Sequence, residues 1–172
     1  IFLLLVIFAG ITYVSTAQPC LPGWTYRMKI DVENTGNTLN NFQASLNINT
    51  AELIADGKIQ QNGNDIRFID GNDNLLSYWI QPGTLNTNHT TIWIKLQEVP
   101  TGLSTIYMYY GNADAVGGTS GESTFIFFDD FSGGLSKWSN NAGNAYITNN
   151  KLHLETTSES NNEGFVKTTQ AV

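Results

Sequence analysis

The chain has 172 residues, with eight basic against fifteen acidic side chains and a formal net charge of -7. This charge argues against nucleic acid as a partner, because binding to a phosphate backbone is driven by clustered lysine and arginine. The single cysteine, Cys20, excludes an intrachain disulfide and a cysteine-based metal cluster, so the fold has to be held together by packing.

The N-terminal segment is a nearly unbroken apolar run over residues 1–14, followed by Ser15-Thr16-Ala17. This order predicts a signal peptide over residues 1–17, with cleavage after Ala17. The run is shorter than the roughly 20 residues that span a bilayer. We therefore expect a secreted or cell-surface protein, with membrane contact only through this segment if it stays uncleaved. The alternative is an uncleaved N-terminal helix that anchors the protein or packs in a filament core. The first residue is not methionine and the last residues continue a strand pattern, so we expect a fragment.

Alternating apolar and polar residues predict strands with one buried and one exposed face over residues 26–33 and 42–49. The turn-forming residues 34–37 between them suggest an antiparallel pair, although the length of the loop leaves direct pairing open. Residues 50–57 begin with a capping residue and end in glycine, which predicts one short helix.

The aromatic and branched residues concentrate in three short runs, residues 78–80, 92–94 and 106–110. Each run suits a pleated surface and is followed by turn-forming proline or glycine. We therefore predict that these runs form three strands of one sheet.

Together these elements predict an all-β fold, an antiparallel and jelly-roll-like β-sandwich with one short helix, over residues 18–128. Residues 113–122 are small and glycine-rich, which indicates a linker. Short strands follow, with Asn149-Asn150 as a turn, but they are too few to close a core. Residues 129–172 are therefore predicted to be the first strands of a second, truncated β-sandwich.

Three aromatic residues, Trp93, Tyr107 and Tyr109, alternate out of phase with the aliphatic positions of their predicted strands. If those two strands pair, the three rings come close together on an outward face. Such a platform suits the flat C–H faces of sugars and predicts a ligand-binding site. The alternative is that a second layer or a neighbouring domain covers the rings as part of a core.

Five further positions carry expectations. Asn88 begins an Asn-x-Thr pattern and is a predicted glycosylation site on an exposed loop. Asp129 and Asp130 are adjacent, so on a strand they would point to opposite faces and could not act as a glycosidase pair. We expect them to bind a structural cation such as calcium or to cap a turn. Asp65 and Arg67 lie on one face of a strand, which favours a surface ion pair.

Catalytic chemistry is not visible in the sequence. There is no nucleophile elbow, zinc-binding helix or phosphate loop, and neither histidine has partners at metal-ligand spacing. Residues 70–74 have oxygen-bearing side chains at alternate positions, as in half of a calcium loop, but they lack the required glycine and glutamate, so a plain hairpin turn is favoured. We expect no catalytic residues and no cofactor other than a structural calcium.

The order and spacing of five segments resembles the family catalogued as domain of unknown function 2341, over residues 23–128. The segments are Trp24-Thr25-Tyr26, Asp65-Ile66-Arg67-Phe68, Tyr78-Trp79-Ile80, Ile92-Trp93-Ile94-Lys95 and Tyr109-Tyr110-Gly111-Asn112. The resemblance implies a β-sandwich found in secreted or surface-anchored multidomain proteins, and it implies no activity. Residues 128–154 are similar to the opening of a concanavalin-like lectin or glucanase domain, which implies carbohydrate contact by that second domain.

The favoured function is a non-catalytic, secreted or cell-surface module for adhesion or carbohydrate binding. Its expected partners are a polysaccharide or cell-surface glycan and other modules of the same chain. One alternative is an accessory part of a glycan-cleaving enzyme whose catalytic jelly roll lies beyond residue 172. Another is a structural spacer or filament subunit of a surface protein.

Overall fold

The computed structural model describes residues 5–10, 21–142, 144–155 and 165–169. The chain divides into two compact units, Ile1–Phe125 and Ile126–Val172. The predicted domain limits, 18–128 and 129–172, stay predictions.

The first unit contains two antiparallel sheets and two short helices, numbered here in chain order. The five-stranded sheet has the order β1 (Leu5–Gly10), β2 (Tyr26–Asn34), β8 (Gly102–Tyr110), β4 (Arg67–Asp70) and β5 (Leu75–Leu76). The three-stranded sheet has the order β3 (Leu39–Ile48), β7 (Thr90–Val99) and β6 (Tyr78–Ile80). The helices are α1 (Thr50–Ala55) and α2 (Gly121–Thr124).

The core lies between the two sheets and is built from the apolar rows that the alternation predicts. Ile30 of β2 and Ile92 and Ile94 of β7 are fully buried. The rings of Phe68 in β4 and Tyr78 in β6 meet edge to face, with centroids 5.3 Å apart, and so join one sheet to the other. The predicted all-β, antiparallel sandwich is confirmed. The predicted helix is present as α1, whereas α2 was not predicted and begins at the end of the predicted linker.

The strand pairing differs from the prediction. β7 pairs with β3, and β8 pairs with β2 and β4 in the other sheet, so the three aromatic runs do not form one sheet. Direct pairing of β2 with β3 is likewise wrong. Each of these strands carries one apolar row, and two strands joined by a short connection bury both rows when they lie in facing sheets.

The two connections between the sheets lie side by side. The Asn34 side-chain amide donates to the carbonyl oxygen of Val99 at 3.0 Å, and Asn34 is almost fully buried. The Thr101 hydroxyl donates to the carbonyl oxygen of Gly36 at 2.7 Å. These bonds hold the β2–β3 connection against the β7–β8 connection, which sets the register of both sheets.

A buried carboxylate links three parts of the five-stranded sheet. Asp65 is 2% exposed; its Oδ1 accepts the backbone N–H of Gln60 at 2.9 Å, and its Oδ2 accepts that of Gly111 at 3.0 Å. Its carbonyl oxygen accepts the indole N–H of Trp24 at 2.9 Å. We call these four residues the Asp65 junction. It ties the start of β2 and the end of β8 to the segment that leads into β4.

The Arg67 side chain donates hydrogen bonds to backbone carbonyl groups rather than to Asp65. Its guanidinium donates to the carbonyl oxygens of Asn64 at 2.9 Å and Val116 at 2.6 Å, and it lies 5.3 Å from the ring centroid of Trp24. The predicted surface ion pair of Asp65 with Arg67 is therefore wrong. Both side chains instead hold irregular backbone in place around the sheet.

The second unit consists of two two-stranded sheets within its described residues. β9 (Trp138–Ala142) pairs with β12 (Phe165–Thr168), and β10 (Asn144–Thr148) pairs with β11 (Lys151–Glu155). Asn149 and Asn150 join β10 to β11, and both have positive φ, 53° and 55°. This is the geometry of a tight hairpin turn that asparagine tolerates, so the predicted turn is confirmed.

The N-terminal apolar segment is described in part. Leu5–Gly10 forms strand β1, which pairs antiparallel with β2. The other residues of the predicted signal peptide lie outside the described residues, and cleavage after Ala17 stays a prediction. Within the described residues, no helix has the length and apolar character needed to cross a membrane.

Gly111→Ala tests the close packing at the end of β8. Gly111 has φ of 83°, and an added Cβ would lie 2.6 Å from Cδ2 of Tyr26, whose ring is stacked on Tyr110. We expect a loss of about 2 to 5 kcal/mol in the free energy of unfolding, measured in urea, from strain and overpacking together. Gly83→Ala is the control, since its φ is 77° but an added Cβ meets nothing within 4 Å. Equal losses in the two variants would contradict the packing argument.

Asp65→Asn tests the Asp65 junction. An amide offers one acceptor oxygen, so one of the two backbone N–H groups at Gln60 and Gly111 loses its partner, at about 1 to 3 kcal/mol. Asp70→Asn is the matched control, because one oxygen of Asp70 accepts the backbone N–H groups of both Asn72 and Asn74, and its other oxygen accepts only the exposed side-chain amide of Asn74. We expect that control to change the free energy of unfolding by less than about 0.5 kcal/mol.

Candidate ligand-binding face

The structure separates the three residues of the predicted aromatic platform. Trp93 lies on the outer face of the three-stranded sheet, whereas Tyr107 and Tyr109 lie on β8 in the five-stranded sheet, whose outer face is turned the other way. Tyr109 is 2% exposed, and the Arg27 guanidinium covers Tyr107 at 4.7 Å from its ring centroid. The three rings therefore do not lie together on one face, and the predicted shared platform is wrong. A ligand-binding role for each residue stays a prediction.

Trp93 instead belongs to a different aromatic group. Trp79 of β6 lies directly opposite Trp93 in the sheet register. The ring of Phe125 lies 5.7 Å from the ring of each, at interplanar angles of 78° and 59°. All three side chains are half-buried. We call Trp79, Trp93 and Phe125 the tryptophan cluster.

Phe125 reaches this face because the preceding segment is bonded to the edge of β6. The backbone N–H of Ile80 donates to the Thr119 hydroxyl at 3.0 Å, and the backbone N–H of Ser120 donates to the carbonyl oxygen of Tyr78 at 2.8 Å. The Ser120 hydroxyl then caps α2 by accepting the N–H of Ser123. This segment satisfies an otherwise open strand edge and places Phe125 immediately after the helix.

Polar side chains surround the two indoles on the same outer face. Strand register and the backbone bonds of β6 with β7 place hydroxyl, amide and lysine side chains in the flanking rows. These residues are Gln43, Ser45, Asn47, Ser77, Gln81, Thr91 and Lys95. The Thr91 hydroxyl donates to Oδ1 of Asn47 at 2.8 Å. None of the flanking positions carries a carboxylate.

This arrangement suits a ligand that is flat and apolar on one side and rich in hydrogen-bonding groups at its edges. Aromatic rings offer an apolar surface, while amides and hydroxyls both donate and accept hydrogen bonds. A sugar ring has both properties. The tryptophan cluster lies on a sheet face and is half-buried, so it is suited to a polymer lying across the sheet rather than to a small molecule enclosed in a pocket.

Asp129 and Asp130 bond to the turn that follows them. Oδ1 of Asp129 accepts the N–H of Phe131 at 2.8 Å, and its Oδ2 accepts the indole N–H of Trp138 at 2.6 Å. The Ser132 hydroxyl and N–H donate to Oδ1 of Asp130 and lower the pKa of that carboxyl. With these bonds the two carboxylates cap the turn, which is the second of the two roles expected for them. No three acidic, histidine or cysteine side chains of the described residues are grouped to hold a metal, and a structural calcium stays a prediction.

Two other predicted positions lie on loops. Asn88 is exposed, next to the turn that leads into β7, and its glycosylation stays a prediction. Asp70 accepts two N–H groups of its own turn and thus acts as an ordinary hairpin residue.

A cleft of about 340 Å³ lies beside this turn and is lined by both apolar and polar residues, among them Asp70, Leu76, Leu96 and Glu98.

Comparison with known proteins supports part of the resemblance in the sequence. The model of a domain of unknown function (DUF2341) matches residues 62–141, which contain most of the segments that carry the resemblance. An uncharacterized protein of Methanocaldococcus jannaschii is 29% identical over 142 residues, covering 75% of this chain and 26% of that protein. The chain therefore spans about a quarter of that relative's length. No solved structure matches the chain. The concanavalin-like second domain stays a prediction.

The sequence pattern contained a signal for Trp79 but none for Phe125. Tyr78 and Ile80 alternate with Trp79, so the same phase argument that places Trp93 outward also applies to Trp79. Phe125 begins an apolar run over residues 125–128 that has no alternation of apolar and polar residues. Its position depends on the bonds of Thr119 and Ser120 to β6, which no local pattern reveals.

A double-mutant cycle of Trp93→Ala and Phe125→Ala tests the tryptophan cluster. We expect a coupling free energy of about 0.5 to 1.5 kcal/mol in urea unfolding, because aromatic pairs at this separation stabilise beyond their buried area. The control cycle combines Phe125→Ala with Tyr107→Ala on the opposite face, where the coupling should stay below about 0.5 kcal/mol. Equal coupling in both cycles would show that Phe125 does not pack on Trp93.

Proposed function

We propose that the protein is a non-catalytic, secreted or cell-surface module that binds carbohydrate through the tryptophan cluster and the polar side chains around it. The observation that supports this most is the pairing of Trp79 with Trp93 on the outer face of the three-stranded sheet, where both indoles are half-buried. Large apolar rings on an outer face, bordered by hydrogen-bonding groups, are typical of recognition surfaces rather than of core.

Binding by one such face should be weak, because an open surface immobilises a polymer through few contacts. Modules linked in one chain raise the overall affinity through a high effective concentration, without any new contact. The chain corresponds to about a quarter of its M. jannaschii relative, so a longer protein with further modules fits this proposal. Adhesion to a glycan-covered surface would be the outcome.

A structural spacer is the second candidate. It is favoured by the roles of Trp24, Asp65, Arg67 and Gly111, whose side chains or backbone groups hold the fold together. Several residues of the segments that carry the resemblance therefore stabilise the fold. The tryptophan cluster is the feature that this second candidate leaves without a role.

Trp93→Ala distinguishes the two candidates. In a polysaccharide pull-down with the full chain, we expect this variant to lose binding while the free energy of unfolding falls by only about 1 to 2 kcal/mol, since the indole is half-buried. A fully buried aromatic would cost about 3 to 5 kcal/mol. Tyr107→Ala, on the other outer face, is the control and should keep binding.

A wild-type chain that binds no polysaccharide, with its fold intact by circular dichroism, would favour the spacer. A loss of stability near the buried-aromatic value in Trp93→Ala would show that the rings are core.

A further inference from the structure

We propose that the sugar chain bound at the tryptophan cluster is anionic, and that the Lys95 ammonium pairs with a carboxylate or sulfate group on it. This inference rests on the carbohydrate-binding function proposed above and adds the chemical class of the ligand.

Lys95 lies on β7 two positions after Trp93, so both side chains belong to the same outward row, roughly 7 Å apart along the strand. Its backbone N–H donates to the carbonyl oxygen of Ser77, and Gln43 lies opposite it on the other side. A ligand stacked on Trp93 would therefore bring its edge groups within reach of a long, flexible lysine side chain.

The Lys95 side chain makes no hydrogen bond or ion pair with any described residue, although it is half-buried. The other two lysines of the first unit differ in this respect: Lys29 pairs with Asp31 at 2.7 Å, and Lys58 pairs with Asp56 at 2.9 Å. In a chain with fifteen acidic residues, a carboxylate partner is easily supplied. Among the described residues, the ammonium of Lys95 thus stays available for the charge of a ligand.

The surrounding positions reinforce this point. The strand positions next to Lys95 carry amides, hydroxyls and indoles, and none of these described neighbours carries a carboxylate. A protein with a net charge of -7 repels polyanions as a whole, but charges farther away than about 8 Å are largely screened at physiological salt. The local field that a bound sugar meets is then set by Lys95.

The test measures the dissociation constant of the full chain for two matched pairs of polymers, with a chelator present to exclude calcium bridging. One pair is polygalacturonate and its methyl ester; the other is dextran sulfate and dextran. We expect at least one anionic polymer to bind about two- to fivefold more tightly than its neutral partner, the range of a solvent-accessible ion pair. The pair that shows this preference distinguishes carboxylate from sulfate.

Three variants assign the preference to its residue. Lys95→Gln should bring the ratio of the dissociation constants for the neutral and the anionic polymer to about one, while Lys95→Arg should keep the ratio of the wild type. Lys29→Gln removes the same charge from the opposite outer face and should also keep it. In the wild type, the preference should fall as salt is raised from roughly 0.05 to 0.5 M.

Two results would overturn the inference, and only one of them would also overturn the proposed function. Neutral polymers bound as tightly as anionic ones, with loss of binding in Trp93→Ala and no effect of Lys95→Gln, would refute the anionic ligand and leave the proposed function intact. A wild-type chain that binds none of the four polymers would refute both.

Discussion

Asp65 keeps a carboxylate almost entirely out of water, and the backbone N–H groups of Gln60 and Gly111 offset the cost of its burial. A buried carboxylate without such partners would be strongly destabilising, so these bonds fix where the segment before β4 meets the end of β8. Trp24 adds its indole N–H to the same residue. The order of strands in the five-stranded sheet depends on this junction, because it holds the ends of β2, β4 and β8 together.

The Asp65 junction bears on which face of the molecule could bind a ligand. Trp24, Arg67 and Gly111 are distinctive residues, yet they are committed to packing and to backbone hydrogen bonds around one end of the five-stranded sheet. On that sheet's outer face, Tyr109 is buried and Tyr107 is covered by Arg27. The outer face of the three-stranded sheet has a different character, since two half-buried indoles lie side by side there among hydroxyl, amide and lysine side chains.

The edge of β6 connects these two aspects of the molecule. A short edge strand leaves unpaired backbone groups, and the segment around Thr119 and Ser120 satisfies them. The same bonds place α2 beside the sheet and Phe125 on the indoles of Trp79 and Trp93. The same hydrogen bonds therefore protect the edge of β6 and place Phe125 in the tryptophan cluster.

The sequence by itself determined the local elements, because strand alternation, helix capping and turn chemistry act over a few residues. The buried rows of β2 and β3, helix α1 and the Asn149-Asn150 turn all follow from such patterns. Only the tertiary structure decided which strands pair, since β8 could satisfy its backbone against β7 or against β2 with the same residues. That choice separated Tyr107 and Tyr109 from Trp93. It also brought Phe125 to Trp79 and Trp93, a contact between distant segments that depends on edge bonding and not on periodicity.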